Sequence, residues 1–417
     1  MFERIRALIN LSSREFLAEE KGKLMKKQDN KLQKIILEGG QVKSRFKSWI
    51  SIMLCAVLII TVFYGISFEQ PNIAEAEESK LSNPRIVLYK SAVWDCIWFG
   101  SYPQAEVVPA GSEYTALPEK VFEESGLIQD DALYQTLQSA TGWDGQGDIV
   151  VSGEKYRRVK KENATYESTG YGYYKWKSGT EYHYFKYQPI KWRVLSVNGS
   201  KAFLLADKVL DDKQYHTKDE NVTWEGSTIR SWLNGYNASA NIQNQDYSSG
   251  NFIDTAFGTY EKQAIKETYV KNKDNFEWDT DGGNNTHDKV FLLSGSETYK
   301  DKYGFVCIND ETNESNSACS SVYAKAMGTY SGIFSDGYAG NCWWWLRSPG
   351  YNSRYASGVE YDGFINQYSM VNNPSRGVRP ALNLNLAPVP DAASSNLWSY
   401  AGTVCSDGTV EDAISED

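Results

Sequence analysis

A mixed α+β domain behind one N-terminal membrane span is the fold class this sequence predicts, and three observations predict it. The run Trp49–Phe68 carries no charge and is about 20 residues long, enough to cross a bilayer. Alternating apolar and polar residues flank tight-turn dipeptides at Ser152-Gly153, Asn198-Gly199 and Asp362-Gly363, which is the pattern of β-hairpins. Helix signals stand between them: Ser227 precedes Ile229, Trp232 and Leu233 on one helical face, and Asn234-Gly235 closes the segment.

The N-terminal elements follow from charge. Residues 1–48 form a basic segment, with Lys21, Lys23, Lys26, Lys27, Lys31, Lys34, Lys43, Arg45 and Lys47 before the apolar run. Glu69, Glu75, Glu77 and Glu78 follow it. Positive charge before the span and acid after it predict a cytoplasmic N-terminus and an extracellular C-terminal domain, a single-pass cell-membrane protein. Residues 49–68 are read as a transmembrane helix or a long signal sequence. Ala74-Glu75-Ala76 fits a signal-peptidase site, so cleavage after Ala76 makes the chain a secreted one. Residues 69–93 read as a stalk, 94–386 as the folded domain with an insertion near 105–186, and 387–417 as an acidic polar tail.

Within the domain the elements come in order. Trp94 to Gln104 reads as the first strand and turn. Val121, Leu127, Leu133 and Leu137 have helical spacing across residues 118–140. Ile149 to Tyr156 reads as a hairpin through Ser152-Gly153. Residues 166–187 crowd Tyr and Trp among Gly; packed rings of a hairpin compete there with a sugar-stacking patch. Ile190–Val197 and Ala202–Val209 make a hairpin through Asn198-Gly199. Residues 254–270 contain a helical segment, Val290–Leu293 a buried strand, and 321–327 a short apolar segment. Residues 274–288 read as a polar loop.

Composition narrows the function classes. The chain has 417 residues and a net charge of −10, which argues against nucleic acid as a partner. It has six Cys, of which Cys55 lies in the apolar run; the odd remainder, the three His and the missing CxxC argue against both a disulfide framework and a structural zinc. The loop 279–288 has the acids and Asn of a calcium loop but not the ligand spacing, so no metal and no cofactor is expected. HExxH, GxSxG and the P-loop are missing as well, and no catalytic residues are assigned.

The densest information lies at Asn341–Leu386. Trp343-Trp344-Trp345-Leu346-Arg347-Ser348-Pro349-Gly350 opens it, and Gly377-Val378-Arg379-Pro380-Ala381-Leu382 closes it. Arg347 and Arg379 are expected to pin the structure. Between these borders Tyr351, Asn352, Arg354, Tyr355, Tyr361, Phe364, Asn366 and Tyr368 have the residue types of a recognition surface, aromatic anchors with adaptable polar partners. A two-residue turn at Asp362-Gly363 sets Tyr361 opposite Phe364, and period two continues the face to Asn366 and Tyr368.

These motifs carry a resemblance. The two borders, with Ile97 to Gln104, Pro189 to Leu195, Arg230 to Asn234 and Asp288 to Ser294, resemble the DUF6273 family of bacterial proteins. That family is similar to the C-type-lectin-like fold of formylglycine-generating enzymes and retroelement-diversified receptor proteins. The resemblance implies an α+β, C-type-lectin-like domain whose face between the two borders binds ligand. The leading expectation is non-catalytic recognition of an extracellular carbohydrate or protein at a bacterial cell surface. A formylglycine-generating-type oxidase is the alternative, although such enzymes use paired cysteines and Cys342 stands alone in its motif. A structural envelope domain without a small ligand is a third reading.

Overall fold

The computed structural model describes residues 81–87, 91–112, 126–305, 314–332, 338–389 and 397–406. All of them fall in one compact unit, Ser79–Asp417. Two β-sheets organise it. The central sheet runs in the order Arg85–Ile86, Ala92–Val108, His183–Asn198, Lys201–Ala206, Ala381–Asn385, Val290–Phe291. The second has five strands, ordered Ile365–Met370, Tyr355–Val359, Trp344–Pro349, Gly377–Val378, Asp211–Asp212.

The long strand Ala92–Val108 pairs antiparallel with His183–Asn198 on one side and with Ser399–Cys405 on the other. Both of its faces are covered, so nearly every residue in it is buried. Its pairing continues through Val107 and Tyr184, so residues 105–108 extend the central sheet. The hairpin at residues 148–159 turns through Ser152 and Gly153 with φ of 51° and 85°, the left-handed pair that a two-residue turn needs. In the next hairpin Asn198 pairs with Lys201, so the turn is Gly199-Ser200, one residue later than the dipeptide suggests.

The expected α+β, C-type-lectin-like layout is corrected to a mostly β one. Among the described residues the helices are short, and Asp131–Ser139, nine residues, is the longest. Thr228–Asn234 forms where the cap signals place it: Ser227 Oγ accepts from Arg230 N, and Gly235 closes it with φ 69°. The expected membrane span, Trp49–Phe68, lies outside the described residues. Among the described residues no helix is long and apolar enough to cross a membrane, which counts against the single-pass, cell-membrane placement, and that placement is not carried further.

The closing motif is where the chain passes between sheets. Gly377–Val378 belongs to the second sheet and Ala381–Asn385 to the central one. At the crossing Arg379 is fully buried. It donates from Nε to Ala206 O at 2.8 Å, and its guanidinium lies 4.9 Å from the Trp344 ring. The opening motif supplies the middle of the second sheet. Trp344 and Trp345 are both 0% exposed, so the in-out alternation expected of neighbours is absent. Trp344–Pro349 has strands on both sides and both of its faces are covered.

Candidate functional site

The edge hairpin of the second sheet builds the site. Tyr355–Val359 pairs antiparallel with Ile365–Met370, and Tyr355 sits directly across from Met370. The strand carries a β-bulge: Ala356 pairs with Ser369 but Gly358 with Asn366, so Gln367 and Tyr368 together oppose Ser357 and the expected period of two breaks there. Ser369 is buried, while Phe364, Tyr368 and Met370 are exposed. The turn is not the two-residue one expected. Glu360 N donates to Phe364 O at 2.8 Å and Gly363 N to Glu360 O at 3.0 Å, so Glu360, not Tyr361, faces Phe364. Gly363 takes φ 84° in a three-residue loop, and Tyr361 packs on Gly332 instead.

Four rings gather on the outer face. The centroid of Tyr351 is 4.6 Å from that of Tyr355 and 5.1 Å from that of Tyr368. Trp278 joins from a separate loop, 6.2 Å from both Tyr351 and Tyr368. Tyr368 is 57% exposed and Trp278 43%, so the cluster is a surface platform rather than core. A hydrogen bond with Tyr351 raises the pKa of the Tyr355 hydroxyl and ties the two rings together. Arg354 pairs with Asp219 through Nε at 2.8 Å and a second contact from Nη2. Asn352 Oδ1 accepts from Arg354 N at 2.9 Å, which shapes the loop behind the rings.

Of the residues singled out in the sequence, Tyr351, Tyr355 and Tyr368 meet directly, and Asn352 and Arg354 frame them. Phe364 is exposed beside the turn, but the bulge separates it and Asn366 from the face of Tyr368. The Asn366 side chain is engaged: Nδ2 donates to Glu360 Oε1 at 2.7 Å and Oδ1 accepts from Tyr368 N at 2.6 Å. The sequence reading missed Trp278. Its signal was present as Phe276-Glu277-Trp278, two aromatics in an otherwise polar loop.

Asn275 holds that loop in place. Its Nδ2 donates to Pro349 O at 2.9 Å, to Gly350 O at 3.2 Å and to Gln367 Oε1 at 2.6 Å. Its Oδ1 accepts from Glu277 N and Trp278 N. One buried amide thus couples the 274–278 strap to the hairpin. On the inner side of the strap lies a cavity of about 830 Å³, lined among others by Asn275, Phe276, Arg347, Ile365 and Gln367. That volume falls in the range of small-ligand pockets. Arg347 stands at its wall, donating to Leu292 O at 2.7 Å and to Glu297 Oε2 at 2.6 Å.

Among the described residues no group of three or more His, Cys, Asp or Glu is placed to hold a metal ion. Asp274 and Asp281 in the acidic loop accept from Gly282 N and Gly283 N, which is turn chemistry. Cys342 is fully buried, and burial pushes its thiol pKa up.

A two-sheet, mostly β domain with a surface platform of rings beside a cavity is therefore the class that fold and site define. Residues 199–386, which contain the whole second sheet, match the family described as Domain of unknown function (DUF6273), and this match supports membership of that family. No curated protein and no solved structure matches the chain.

Proposed function

We propose that this domain is a non-catalytic recognition module whose platform of Trp278, Tyr351, Tyr355 and Tyr368 binds carbohydrate. The carrying observation is the cluster itself: four rings held in mutual contact at the surface, two of them about half exposed, on a hairpin edge locked by Asn275. Sugar rings present flat C–H faces that pack on aromatic faces, while their hydroxyls take amide and guanidinium partners at the rim. Arg354 and Asn352 stand at that rim. A fixed platform loses little side-chain entropy on binding, because the rings are ordered beforehand.

The oxidase alternative drew on Cys342. Its buried, protonated thiol favours a packing role, since the thiolate is the form that acts as nucleophile or metal ligand. The platform reading is tested with Tyr368→Ala and Trp278→Ala on a panel of oligosaccharides, with thermal unfolding measured in parallel. Loss of about 2 kcal/mol of binding per ring with unchanged unfolding supports it. Binding that survives both substitutions overturns it, and binding of a protein partner with no oligosaccharide bound replaces sugar by protein as the ligand.

A further inference from the structure

The cavity behind the strap has a charge character opposite to that of the chain. The protein carries a net charge of −10. Yet Lys201, Lys271, Lys273 and Lys300 all line the cavity. The acids that line it are Glu297 and Asp274, and Glu297 is neutralised by Arg347 at 2.6 Å. Four lysines therefore stand against one carboxylate, Asp274, which already accepts from Gly282 N at 2.9 Å. Arg347 Nε is buried without a hydrogen-bond partner among the described residues. Lys201, Lys271 and Lys273 are exposed and Lys300 is half-buried, so the rim attracts an anion as a cluster of like surface charges.

The walls are also of mixed chemistry. Phe203 and Phe291 lie at the core side, and Tyr269, Phe276 and Tyr299 are exposed; Phe276 is 90% exposed. Between them come the Ser294 and Ser348 hydroxyls and the Gln367 and Asn383 amides. Protein partners hold each of these groups in place, Ser294 Oγ with Ser296 Oγ, Ser348 Oγ accepting from Gly295 N, Gln367 with Asn275 and Glu277, and Asn383 Nδ2 donating to Thr268 Oγ1, so they form a fixed polar wall. A ring with hydroxyls and a carboxylate matches rings, amides and lysines together. The cavity and the platform share the 274–278 strap, since Asn275 and Phe276 line the one and Trp278 belongs to the other.

We infer that the cavity is a subsite for an acidic sugar, a uronate or sialate unit of the carbohydrate that the platform holds, with its carboxylate met by the lysine rim. This rests on the platform reading, and it adds a preference for charge. Each lysine contributes through a solvent-screened ion pair, so the preference weakens as salt rises.

The test is calorimetric titration of the full chain with uronic-acid and sialic-acid oligosaccharides and with neutral oligosaccharides of the same length. Lys271→Gln combined with Lys273→Gln removes two exposed rim charges, with thermal unfolding measured in parallel. The expected result is tighter binding of acidic ligands, about tenfold weakened by the double substitution and unchanged for neutral ones. Equal binding of acidic and neutral ligands, or no effect of the double substitution, overturns the inference; the platform reading then stands if Tyr368→Ala still abolishes binding. Acidic binding that needs the lysines but survives Tyr368→Ala and Trp278→Ala keeps the cavity site and removes the platform. No binding of any oligosaccharide removes both.

Discussion

The ring of Tyr351 lies 5.1 Å from that of Tyr368, with 36° between their planes, although one follows the buried Trp344–Pro349 strand and the other sits on the sheet edge. A rigid framework thus places an exposed aromatic pair. Framework and platform can be separated experimentally because different tryptophans and tyrosines serve them.

Trp344 is 0% exposed with Arg379 over its ring, whereas Tyr368 projects outward. Trp344→Ala is expected to destabilise the domain by about 3–5 kcal/mol, the usual cost of deleting a core aromatic. Tyr368→Ala is expected to change stability by no more than about 0.5 kcal/mol. Denaturant unfolding of the two variants checks both. Equal losses would place Tyr368 in the core and end its role as a surface anchor.

Asn275 touches no proposed ligand but positions Trp278. Asn275→Ala removes the donor to Pro349 O, Gly350 O and Gln367 Oε1, in a buried setting. A stability loss of about 1–3 kcal/mol is expected from the loss of the donor to Gly350 O and Gln367 Oε1, since Pro349 O keeps Ser357 Oγ as a donor. Carbohydrate binding should fall alongside, at a temperature where the variant is still folded. Binding equal to that of the unaltered protein would show that the strap holds its place without this amide.

Acid sensitivity should trace in part to Asp207. Burial by itself raises its carboxyl pKa, but Arg193 at 2.6 Å, with help from Lys191 and Arg379, outweighs it and holds the group at about 2. A depressed carboxylate contributes stability above its unfolded value, near 3.9, and loses it as pH falls toward 2, because the unfolded chain binds the proton first. Asp207→Asn is expected to cost about 2 kcal/mol at pH 7, with the gap to the unaltered protein closing between pH 4 and pH 2. Urea unfolding across that range measures it. A gap independent of pH would assign the loss to packing.

Gly363 holds φ 84° in the loop Tyr361-Asp362-Gly363. Gly363→Ala forces a side chain into the left-handed region, at a cost of about 1–2 kcal/mol. The register from Glu360 to Phe364 should loosen, and amide exchange at Glu360 N should quicken. Unchanged exchange there would mean that strand pairing alone sets the turn.

Much of this was legible in local pattern. The Ser152-Gly153 turn and the Ser227-capped helix follow from residue types at fixed spacing, because φ preference and capping act between near neighbours, whereas the period of two expected from Phe364 to Met370 is broken by a bulge at Gln367-Tyr368. The border motifs and the tyrosines between them could be singled out for the same reason. Tertiary structure decided the rest. It made the domain mostly β, since apolar runs too short to choose between helix and strand are settled by the sheets that cover them. It buried Trp344 and Trp345 together by covering both faces of their strand. It faced Glu360 rather than Tyr361 toward Phe364, through a loop one residue longer than the dipeptide implied. And it brought Trp278 to Tyr351 and gathered Lys201, Lys273 and Lys300 at one cavity, contacts between distant segments that no local spacing encodes.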